Sequence, residues 1–505
     1  MDGVGVAEPG PGNAVTLAKT SNLDRLWYEY PHTYLEAASL SVGLPVGTDG
    51  NSEVGHMTMG AGKVIFQDLP RIDNSIQTGA FQHNPVLKEA FRYAKDHKSN
   101  IHVMGLVGKG KVHSSFEHLK AIIDMASAED ADSNRFFIHA FTDGRDSGVN
   151  DGLDLLDNLE IYCKQRRIGR IASIIGRAYA MDRDERWDRT QKAYNLITEG
   201  IGEKVKDWRK RLKEFYKKGV SDEYIEPLVI LDRHDSYSKV GENDVVIFFN
   251  FRPDRAIQLT KAFEDKNFRG FDRSLIPGLF FVGLTSYEDN LPSKVAFPPE
   301  DITMPLGKVL SLNGLTQLRI AESEKFPHVT YFFNGGNEEV LPGETYVEIP
   351  SPKDVATYDL KPEMSMEWVT TELIKRLETG KFDFALINFA GPDMVGHTGV
   401  IDATIKSMEI CDQQIGRIVK YVLNHDGAVV ITADHGNAEE MINTITGEPD
   451  TKHSTNPVPF LAVKKGLKPV ELPVGGLADV APTILAMLGL EIPAEMTGRN
   501  LLEGI

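Results

Sequence analysis

The pattern of apolar and polar positions is clearest in the last quarter of the chain. Residues 384–390 form a short apolar run of the length of a buried strand, and residues 428–433 form a second. Between them, apolar side chains recur at three- and four-residue spacing, as on one face of an amphipathic helix, at Ile401, Ile405, Met408, Cys411, Ile415, Ile418 and Val422. The pattern predicts one β-α-β unit. Because such crossovers are right-handed, the two strands are expected to run parallel and to end at the same edge of a sheet.

Apolar runs of strand length also recur in the middle of the chain, at residues 101–107, 136–141, 171–175 and 245–249. Residues 204–218 are rich in lysine, but Trp208, Leu212 and Phe215 share one helical face there. This spacing predicts a helix with an apolar inner face and a solvated basic outer face.

Domain boundaries are expected at two irregular, proline-containing connections, because the sequence has no internal repeats or low-complexity tracts. The first is residues 67–70 (QDLP) and the second is residues 296–301 (AFPPED). These connections divide the chain into residues 1–67, 68–301 and 302–505.

Composition narrows the class of protein. The chain has 505 residues, 41% of them hydrophobic, which is enough for a large core, and no apolar run is long enough to span a membrane. The N-terminus lacks the features of a signal peptide, so we expect a cytoplasmic protein without a membrane partner. The net charge of -18 argues against nucleic acid as a partner. With only Cys163 and Cys411 present, neither a disulfide scaffold nor a cysteine metal site is expected.

Candidate metal ligands follow the two C-terminal strands closely. Carboxylate and imidazole groups suit Mn²⁺ and Zn²⁺, and the number of such groups exceeds what one tetrahedral site needs. Parallel strands that end at one edge would bring them together, which predicts two ions side by side. Alternatively, one or two of the histidines cap helices or lie satisfied in the core. The ligand candidates are Asp393, His397, Asp434, His435 and His453.

Cationic side chains recur where the strands of the middle block end. Guanidinium groups bind carboxylate and phosphate through paired hydrogen bonds, so several of them around one cleft would favour an anionic ligand. The alternative for any single arginine is a surface salt bridge, and Asp182 and Asp184 are available for that. The candidates are His113, Arg145, Arg177, Arg183, Arg186, Arg252 and Arg255, with Asp146 beside them.

A serine lies in the glycine-rich segment at residues 50–62. Serine is a weak nucleophile unless a base or a metal ion activates its hydroxyl, so the proposed metal site makes Ser52 a candidate nucleophile. The alternative is that the segment is a turn or a helix cap.

Over essentially its whole length the chain resembles the cofactor-independent (2,3-bisphosphoglycerate-independent) phosphoglycerate mutases of the alkaline phosphatase superfamily. The resemblance rests on residues 50–56 (GNSEVGH), 143–146 (DGRD), 181–184 (MDRD), 250–255 (NFRPDR), 393–399 (DMVGHTG) and 433–439 (ADHGNAE). It implies an α/β protein of two domains. Residues 1–67 and 302–505 would form an alkaline-phosphatase-like α/β/α sandwich that binds metal, and residues 68–301 would form an inserted α/β transferase domain that binds phosphoglycerate.

The resemblance implies an isomerase that interconverts 3-phosphoglycerate and 2-phosphoglycerate in glycolysis and gluconeogenesis. The phosphoryl group would pass through a phosphoserine on Ser52, and Asp146 would carry protons between the glycerate hydroxyls. The implied substrate contacts are His113, Arg145, Asp146, Arg177, Arg183, Arg252, Arg255 and Lys325. The implied ligands are Asp393, His397 and His453 for one Mn²⁺, and Asp2, Ser52, Asp434 and His435 for the other, with Mg²⁺, Co²⁺ or Zn²⁺ as substitutes.

Further expectations concern the whole molecule and its N-terminus. We expect a monomer whose two domains close over the substrate. In this family an apolar strand leads into the Asp-Gly pair, whereas only Met1 precedes Asp2 here. We therefore expect Asp2 to lie on a fraying terminus and the second metal site to be weakened. Two alternatives follow: another phosphomutase or hydrolase of the superfamily, which would lack the arginine-rich block, or a poorly active phosphoglycerate-binding chain.

Overall fold

A computed structural model describes residues 1–443 and 446–505 of the chain. These residues form two compact units, unit 1 (Met1–Gln67 and Glu300–Ile505) and unit 2 (Asp68–Pro299). The divisions fall within the two irregular connections named above.

The strands are β1 His32–Glu36, β2 Ile101–Val107, β3 Phe136–Thr142, β4 Arg170–Gly176, β5 Glu203–Val205, β6 Leu228–Ile230, β7 Val245–Phe248, β8 Phe280–Gly283, β9 Lys294–Val295, β10 Gln317–Glu322, β11 Glu344–Ile349, β12 Phe384–Ile387, β13 Ala428–Thr432, β14 Val458–Lys464 and β15 Gly475–Gly476. The α-helices are α1 Ala14–Leu17, α2 Ser21–Glu29, α3 Ser52–Ala61, α4 Asp68–Gln77, α5 Pro85–His97, α6 Phe116–Ala128, α7 Gly152–Arg166, α8 Arg177–Ala180, α9 Trp187–Glu199, α10 Trp208–Lys217, α11 Ile257–Glu264, α12 Leu306–Leu312, α13 Met366–Leu377, α14 Gly391–Gly396, α15 Ile401–Asn424 and α16 Val480–Met487.

Unit 2 is built on an eight-stranded sheet in the order β5-β6-β4-β3-β2-β7-β8-β9. Its strands are parallel except where β4 meets β6. Every residue of β2 and β3 is buried, because apolar clusters cover both faces of the sheet: Val103 contributes to one cluster and its neighbour Met104 to the other. Strands covered on both faces are apolar at most positions, and the four strands predicted for this block are confirmed.

Unit 1 contains two separate hydrogen-bonded sheets, β13-β14-β1-β15 and β11-β10-β12. The prediction of a β-α-β unit is confirmed for its elements, β12, α15 and β13. The prediction that both strands are fully buried is wrong, because β12 is half-buried at all four positions and β13 is fully buried only at Ile431. The two strands lie in different sheets and do not pair with each other.

The first two residues lie between the ends of these strands. The Met1 ammonium donates a hydrogen bond to the Thr432 carbonyl (2.8 Å), and the Asp2 amide donates to the Phe389 carbonyl (3.1 Å). Asp2 is fully buried. The expectation that Asp2 frays is therefore wrong, because backbone hydrogen bonds on both sides and burial hold it in place.

Two smaller predictions, on the apolar face of α10 and on the packing of the cysteines, are confirmed. Trp208, Leu212 and Phe215 are buried on α10. Both cysteines are free and buried, and burial raises the pKa of each thiol to about 12, so they pack as neutral side chains. None of the helices in the described part of the chain combines the length and apolar character needed to cross a bilayer.

The last residue of α11, Glu264, makes stability depend on pH. Burial raises the pKa of Glu264 from 4.5 to about 7. Between pH 4.5 and about 7, Glu264 is therefore protonated in the folded chain and ionised in the unfolded chain. The contribution of Glu264 to the free energy of unfolding consequently falls as pH rises through this range. We expect Glu264→Gln to raise the Tm at pH 8 and to leave it unchanged near pH 4.5. Thermal unfolding of both proteins at the two pH values checks this, and an equal Tm difference at both would contradict it.

Candidate functional site

The candidate ligands in unit 1 form three groups. Within each group the donor atoms lie within 4.8 Å of one another. The structure thus brings together all six of the Asp and His ligands named from the sequence, although their strands do not pair. The groups are Asp393, His397 and His453; Asp2, Asp393 and His435; and Asp2, His56 and Asp434.

Two histidines direct their Nε2 atoms to one point. The Nε2 atoms of His397 and His453 are 3.0 Å apart, and they lie 3.3 and 3.4 Å from Oδ1 of Asp393. Nδ1 of His397 donates to the Thr451 carbonyl and Nδ1 of His453 to the Gly50 carbonyl, both at 2.8 Å. Because a carbonyl only accepts, each neutral ring carries its proton on Nδ1 and turns a lone pair toward the other ring. Two lone pairs and a carboxylate oxygen facing one point fit a divalent cation.

A second centre surrounds Ser52. The Lys325 ammonium lies 2.7 Å from each of three oxygens, Oδ1 of Asp2, Oγ of Ser52 and Oδ2 of Asp393. Oγ of Ser52 is also 3.0 Å from Nε2 of His435. Burial would lower the pKa of Lys325, but the charges of Asp2, Asp393 and Asp434 outweigh it and raise that pKa. Buried carboxylates that hold one cation in this way fit the charge of a metal ion.

The charges of this centre stabilise one another. Burial would raise the pKa of Asp434 and lower that of His435. Instead, the charge of His435, the contact with the His56 ring and the charge of Lys325 hold the pKa of Asp434 well below its usual range. The negative charges, with Asp434 foremost, raise the pKa of His435 to about 10. The carboxylates of this centre therefore favour the binding of a cation.

Ser52 is positioned by the start of α3. It is the first residue of that helix, and Oδ1 of Asn51 accepts a hydrogen bond from the Val54 amide as the N-cap. The helix cap that was the alternative interpretation of this segment is therefore Asn51. The Ser52 hydroxyl remains available to the candidate metal site. A Cβ on Gly55 would lie 2.5 Å from the Asp434 carbonyl, so only glycine lets α3 approach this ligand so closely.

Sequence reasoning missed three residues that orient the ligands. Nδ2 of Asn388 donates to Oδ2 of Asp2 (2.7 Å) and to Nε2 of His56 (3.2 Å). Nδ1 of His56 is 3.3 Å from Oδ2 of Asp434. Nδ2 of Asn437 donates to Oδ1 of Asp393 (2.8 Å). One signal was available for His56, because it follows the serine by four positions on one helix face.

The cationic side chains of unit 2 form a connected cluster around two carboxylates. Nη1 of Arg177, which is buried, donates to Oδ1 of Asp143 (2.6 Å) and to Oδ2 of Asp146 (2.5 Å). His113 lies between Asp146 (3.8 Å) and Asp254 (3.4 Å). Arg183 and Arg252 also pair with Asp254, at 3.0 and 3.1 Å.

The remaining arginines differ in their surroundings. Burial and the charges of Arg177, Arg183 and Arg145 lower the pKa of Arg255, which shows how closely these cations crowd together. Arg145 is 3.6 Å from Glu223. Arg186 instead pairs with Asp182 and Asp184, as the salt-bridge alternative predicted. Lys325 is the one implied substrate contact that lies in unit 1.

The pKa values of two groups in this cluster are shifted in ways that define their protonation states at pH 7. Burial and the charge of Arg177 lower the pKa of His113 to about 4, so its ring is neutral at pH 7. Burial would raise the pKa of Asp146, but the hydrogen bond from Arg177 outweighs it and lowers that pKa. Asp146 is therefore a carboxylate that can accept a proton.

Comparison with known proteins shows the family to which this chain belongs. The family model described as BPG-independent PGAM N-terminus (iPGM_N) matches residues 72–289. The chain is 48% identical over 505 residues to the 2,3-bisphosphoglycerate-independent phosphoglycerate mutase of Clostridium botulinum, a match that covers 100% of this chain and 98% of that protein. The chain belongs to this family. The mutase of the same name from Clostridium tetani is 47% identical over 506 residues, with 100% and 98% coverage.

A solved structure agrees with this assignment. The crystal structure of Leishmania mexicana phosphoglycerate mutase at low cobalt concentration matches with 31% identity and a TM-score of 0.52, over 99% of this chain and 96% of that one. The family resemblance and the predicted α/β class with two domains are thereby confirmed. The match to residues 72–289, which contain the arginine-rich block, disfavours a superfamily hydrolase that lacks that block. The alternative of a poorly active phosphoglycerate-binding chain stays a prediction, although Asp2 itself is buried.

Proposed function

We propose that this chain is a 2,3-bisphosphoglycerate-independent phosphoglycerate mutase that interconverts 3-phosphoglycerate and 2-phosphoglycerate through a phosphoserine on Ser52. One observation carries the proposal most directly. The Ser52 hydroxyl lies within 3.2 Å of Asp2, His435 and Lys325 at once, inside a centre of buried carboxylates. A serine with only a structural role would not need a carboxylate, an imidazole and an ammonium group around its hydroxyl.

The proposed ligands are Asp393, His397 and His453 for one ion, and Asp2, Ser52, Asp434 and His435 for the other. We propose Mn²⁺, because the donors are carboxylates and imidazoles, with Mg²⁺, Co²⁺ and Zn²⁺ as substitutes. When bound, these ions would supply positive charge that stabilises the serine alkoxide and the oxygens of the phosphoryl group.

The protein groups around Ser52 would prepare it for attack. Asp2 and His435 lie at hydrogen-bond distance from Oγ and would orient it, and the hydroxyl proton would be released to water before the attack. Lys325, 2.7 Å from Oγ, would stabilise the negative charge that develops there. The Oγ–phosphorus bond forms as the bond from phosphorus to the glycerate oxygen breaks. The second hydroxyl of glycerate then takes the phosphoryl group from Ser52.

The unit 2 cluster would bind the glycerate. Arg145, Arg177, Arg183, Arg252 and Arg255 offer guanidinium groups to the carboxylate and the phosphate. Asp146, held as a carboxylate by Arg177, would take the proton from the attacking hydroxyl and return it to the leaving oxygen. His113, neutral beside Asp146, would donate one hydrogen bond to the substrate. We further propose that the enzyme acts as a monomer in the cytoplasm.

The guanidinium group of Arg177 gives a specific prediction. Arg177→Lys keeps the charge but removes the rigid planar group whose Nη1 atom bridges Asp143 and Asp146. We expect kcat/KM for 3-phosphoglycerate to fall by about 100-fold, which corresponds to about 2.7 kcal/mol, while the metal content stays unchanged. Arg186→Lys is the matched control, because Arg186 pairs with Asp182 and Asp184, and normal kinetics are expected for it. Equal effects of the two substitutions would contradict the assignment.

A further inference from the structure

Residues 143–151 connect β3 to α7 and carry Arg145 and Asp146, two of the proposed substrate-binding groups. This loop contains no helix or strand. Within it, Oδ1 of Asp143 accepts hydrogen bonds from the Arg145 and Asp146 amides (3.3 and 3.0 Å). These contacts are local and shape the turn itself. Further hydrogen bonds to the loop come from a segment far away in the sequence.

Asp222, in that distant segment, contacts the loop at both of its ends. It is buried, and it begins the short 3₁₀ turn Asp222–Tyr224. Its Oδ2 atom accepts a hydrogen bond from the Gly152 amide (2.7 Å), where α7 starts, and its own amide donates to the Val149 carbonyl (2.9 Å). Its carbonyl accepts from Oγ1 of Thr142 (2.7 Å), the last residue of β3. One residue thus ties the beginning of the loop to its end.

The carboxylate of Asp222 is in turn held by helix α10. Its Oδ1 atom accepts a hydrogen bond from the Tyr216 hydroxyl (2.5 Å). The Tyr216 ring packs against the large apolar cluster of unit 2, to which Trp208 and Leu212 of the same helix also belong. The contacts of Asp222 therefore join the loop to the core of unit 2.

The next residues of the segment pack against the middle of the loop and against the end of β4. A Cβ on Gly144, whose φ is +67°, would lie 2.6 Å from the Glu223 amide nitrogen, so the two backbones touch there. The Glu223 carboxylate is 3.6 Å from Arg145. The Ile225 carbonyl accepts a hydrogen bond from the amide of Gly176, the last residue of β4 (2.8 Å). The segment thus contacts both strand ends that present the arginine cluster.

We propose that Asp222 is a positioning residue for phosphoryl transfer, which holds the loop so that Arg145 and Asp146 face the substrate. This inference rests on the proposed function and adds a residue to it. Asp222 acts through the backbone of the loop and not on the substrate itself. A displacement of about 1 Å in groups that bind substrate or transfer protons can lower a rate by about 100-fold.

Asp222→Ala removes the hydrogen bonds from Gly152 and Tyr216 to the carboxylate. At a temperature where the variant is fully folded, we expect kcat/KM for 3-phosphoglycerate to fall at least about tenfold. KM should rise because Arg145 is displaced, and kcat should fall because Asp146 is displaced. Coupled mutase assays measure both constants. Unchanged constants in the folded variant would overturn the proposal.

Asp244→Ala is the matched control. Asp244 is also buried in unit 2, and its carboxylate accepts hydrogen bonds from the amides of Asn100 (2.7 Å) and Gly241 (2.8 Å). It lies where β2 and β7 start, at the opposite edge of the sheet from the loop. We expect a lower Tm for both variants but normal kinetics for Asp244→Ala. An equal fall of kcat/KM in both variants would show a general effect of lost stability and overturn the proposal.

Two further variants keep the test decisive even where Asp222→Ala does not fold. In Asp222→Asn the amide oxygen can accept from Gly152 and the amide nitrogen can donate to the Tyr216 oxygen, so kcat/KM should stay within about twofold of the wild type. Adding Tyr216→Phe removes that oxygen and leaves the amide nitrogen unpaired, so kcat/KM should then fall at least about fivefold. Equal kcat/KM for the single and the double variant would overturn the proposal.

Hydrogen exchange tests the positioning role without turnover. Asp222→Ala should speed the exchange of backbone amides in residues 143–152 at least about tenfold, whereas Asp244→Ala should leave it unchanged. Equal exchange of this loop in the wild type and Asp222→Ala would overturn the proposal. A wild-type chain that does not convert 3-phosphoglycerate would instead contradict the proposed function, and the exchange rates would still decide whether Asp222 holds the loop.

Discussion

Ser52→Ala is expected to abolish phosphoglycerate interconversion, with turnover reduced at least about a thousandfold. The hydroxyl that would carry the phosphoryl group is absent in this variant, and no other hydroxyl is within hydrogen-bond distance of Lys325 Nζ among the described contacts. Metal content should remain largely intact, because only one of the seven proposed ligands is lost. Coupled mutase assays and elemental analysis of the purified variant measure the two quantities.

A matched variant separates a chemical role from a general effect of the substitution. Ser311→Ala changes a serine on α12 of the same unit and should turn over at the normal rate. A wild-type rate for Ser52→Ala would remove Ser52 from the mechanism. Loss of activity together with both metal ions would show that Ser52 acts only through metal binding.

Lys325→Met is expected to have the second large effect, on both activity and stability. The variant loses the ammonium that lies 2.7 Å from Asp2, Ser52 and Asp393. Without metal, its buried carboxylates lose their counter-charge, which should destabilise the fold by about 3–5 kcal/mol. Turnover should fall at least about 100-fold, because the charge that develops on the serine oxygen loses its hydrogen-bond donor.

The metal dependence of stability distinguishes this account from simple loss of packing. Added Mn²⁺ should raise the Tm of Lys325→Met more than that of the wild type, since the ions replace the missing positive charge. Lys325→Arg, which keeps the charge, should behave more like the wild type in this respect. Thermal unfolding with and without Mn²⁺ measures these shifts. An identical Mn²⁺ effect in the wild type and Lys325→Met would contradict the proposed role.

The parts of the fold that depend on local spacing were predictable from the sequence. The stripe from Ile401 to Val422 lies on α15, and the four apolar runs of the middle block are strands, because periodicity reflects which side of an element is buried. The position of the cationic cluster of unit 2 was also predictable, from the order of strands and the residues that follow them. Parallel strands that end at one edge bring His113, Arg177 and Arg252 near one another.

Features set by contacts between distant residues were not predictable. Lys325 meets Asp2 across 323 positions and Asn388 meets Asp2 across 386, and no local pattern indicates either pair. The two strands of the β-α-β unit were expected to end at the same edge of one sheet, but β12 and β13 lie in different sheets, since the order of strands depends on which segments lie between them. For the same reason Asp2 was wrongly expected to fray. Its stability comes from Phe389 and from the anchoring of Met1 on Thr432, far away in the sequence.

The central claim is that this chain transfers a phosphoryl group between the two hydroxyls of glycerate without bisphosphoglycerate. Phosphorus NMR of 3-phosphoglycerate mixed with the purified chain and Mn²⁺ tests it directly. The account predicts that the resonance of 2-phosphoglycerate grows to equilibrium, that chelation of the metal stops its growth, and that restored Mn²⁺ restarts it. A spectrum in which 3-phosphoglycerate persists unchanged, or is converted only to inorganic phosphate, would contradict the account.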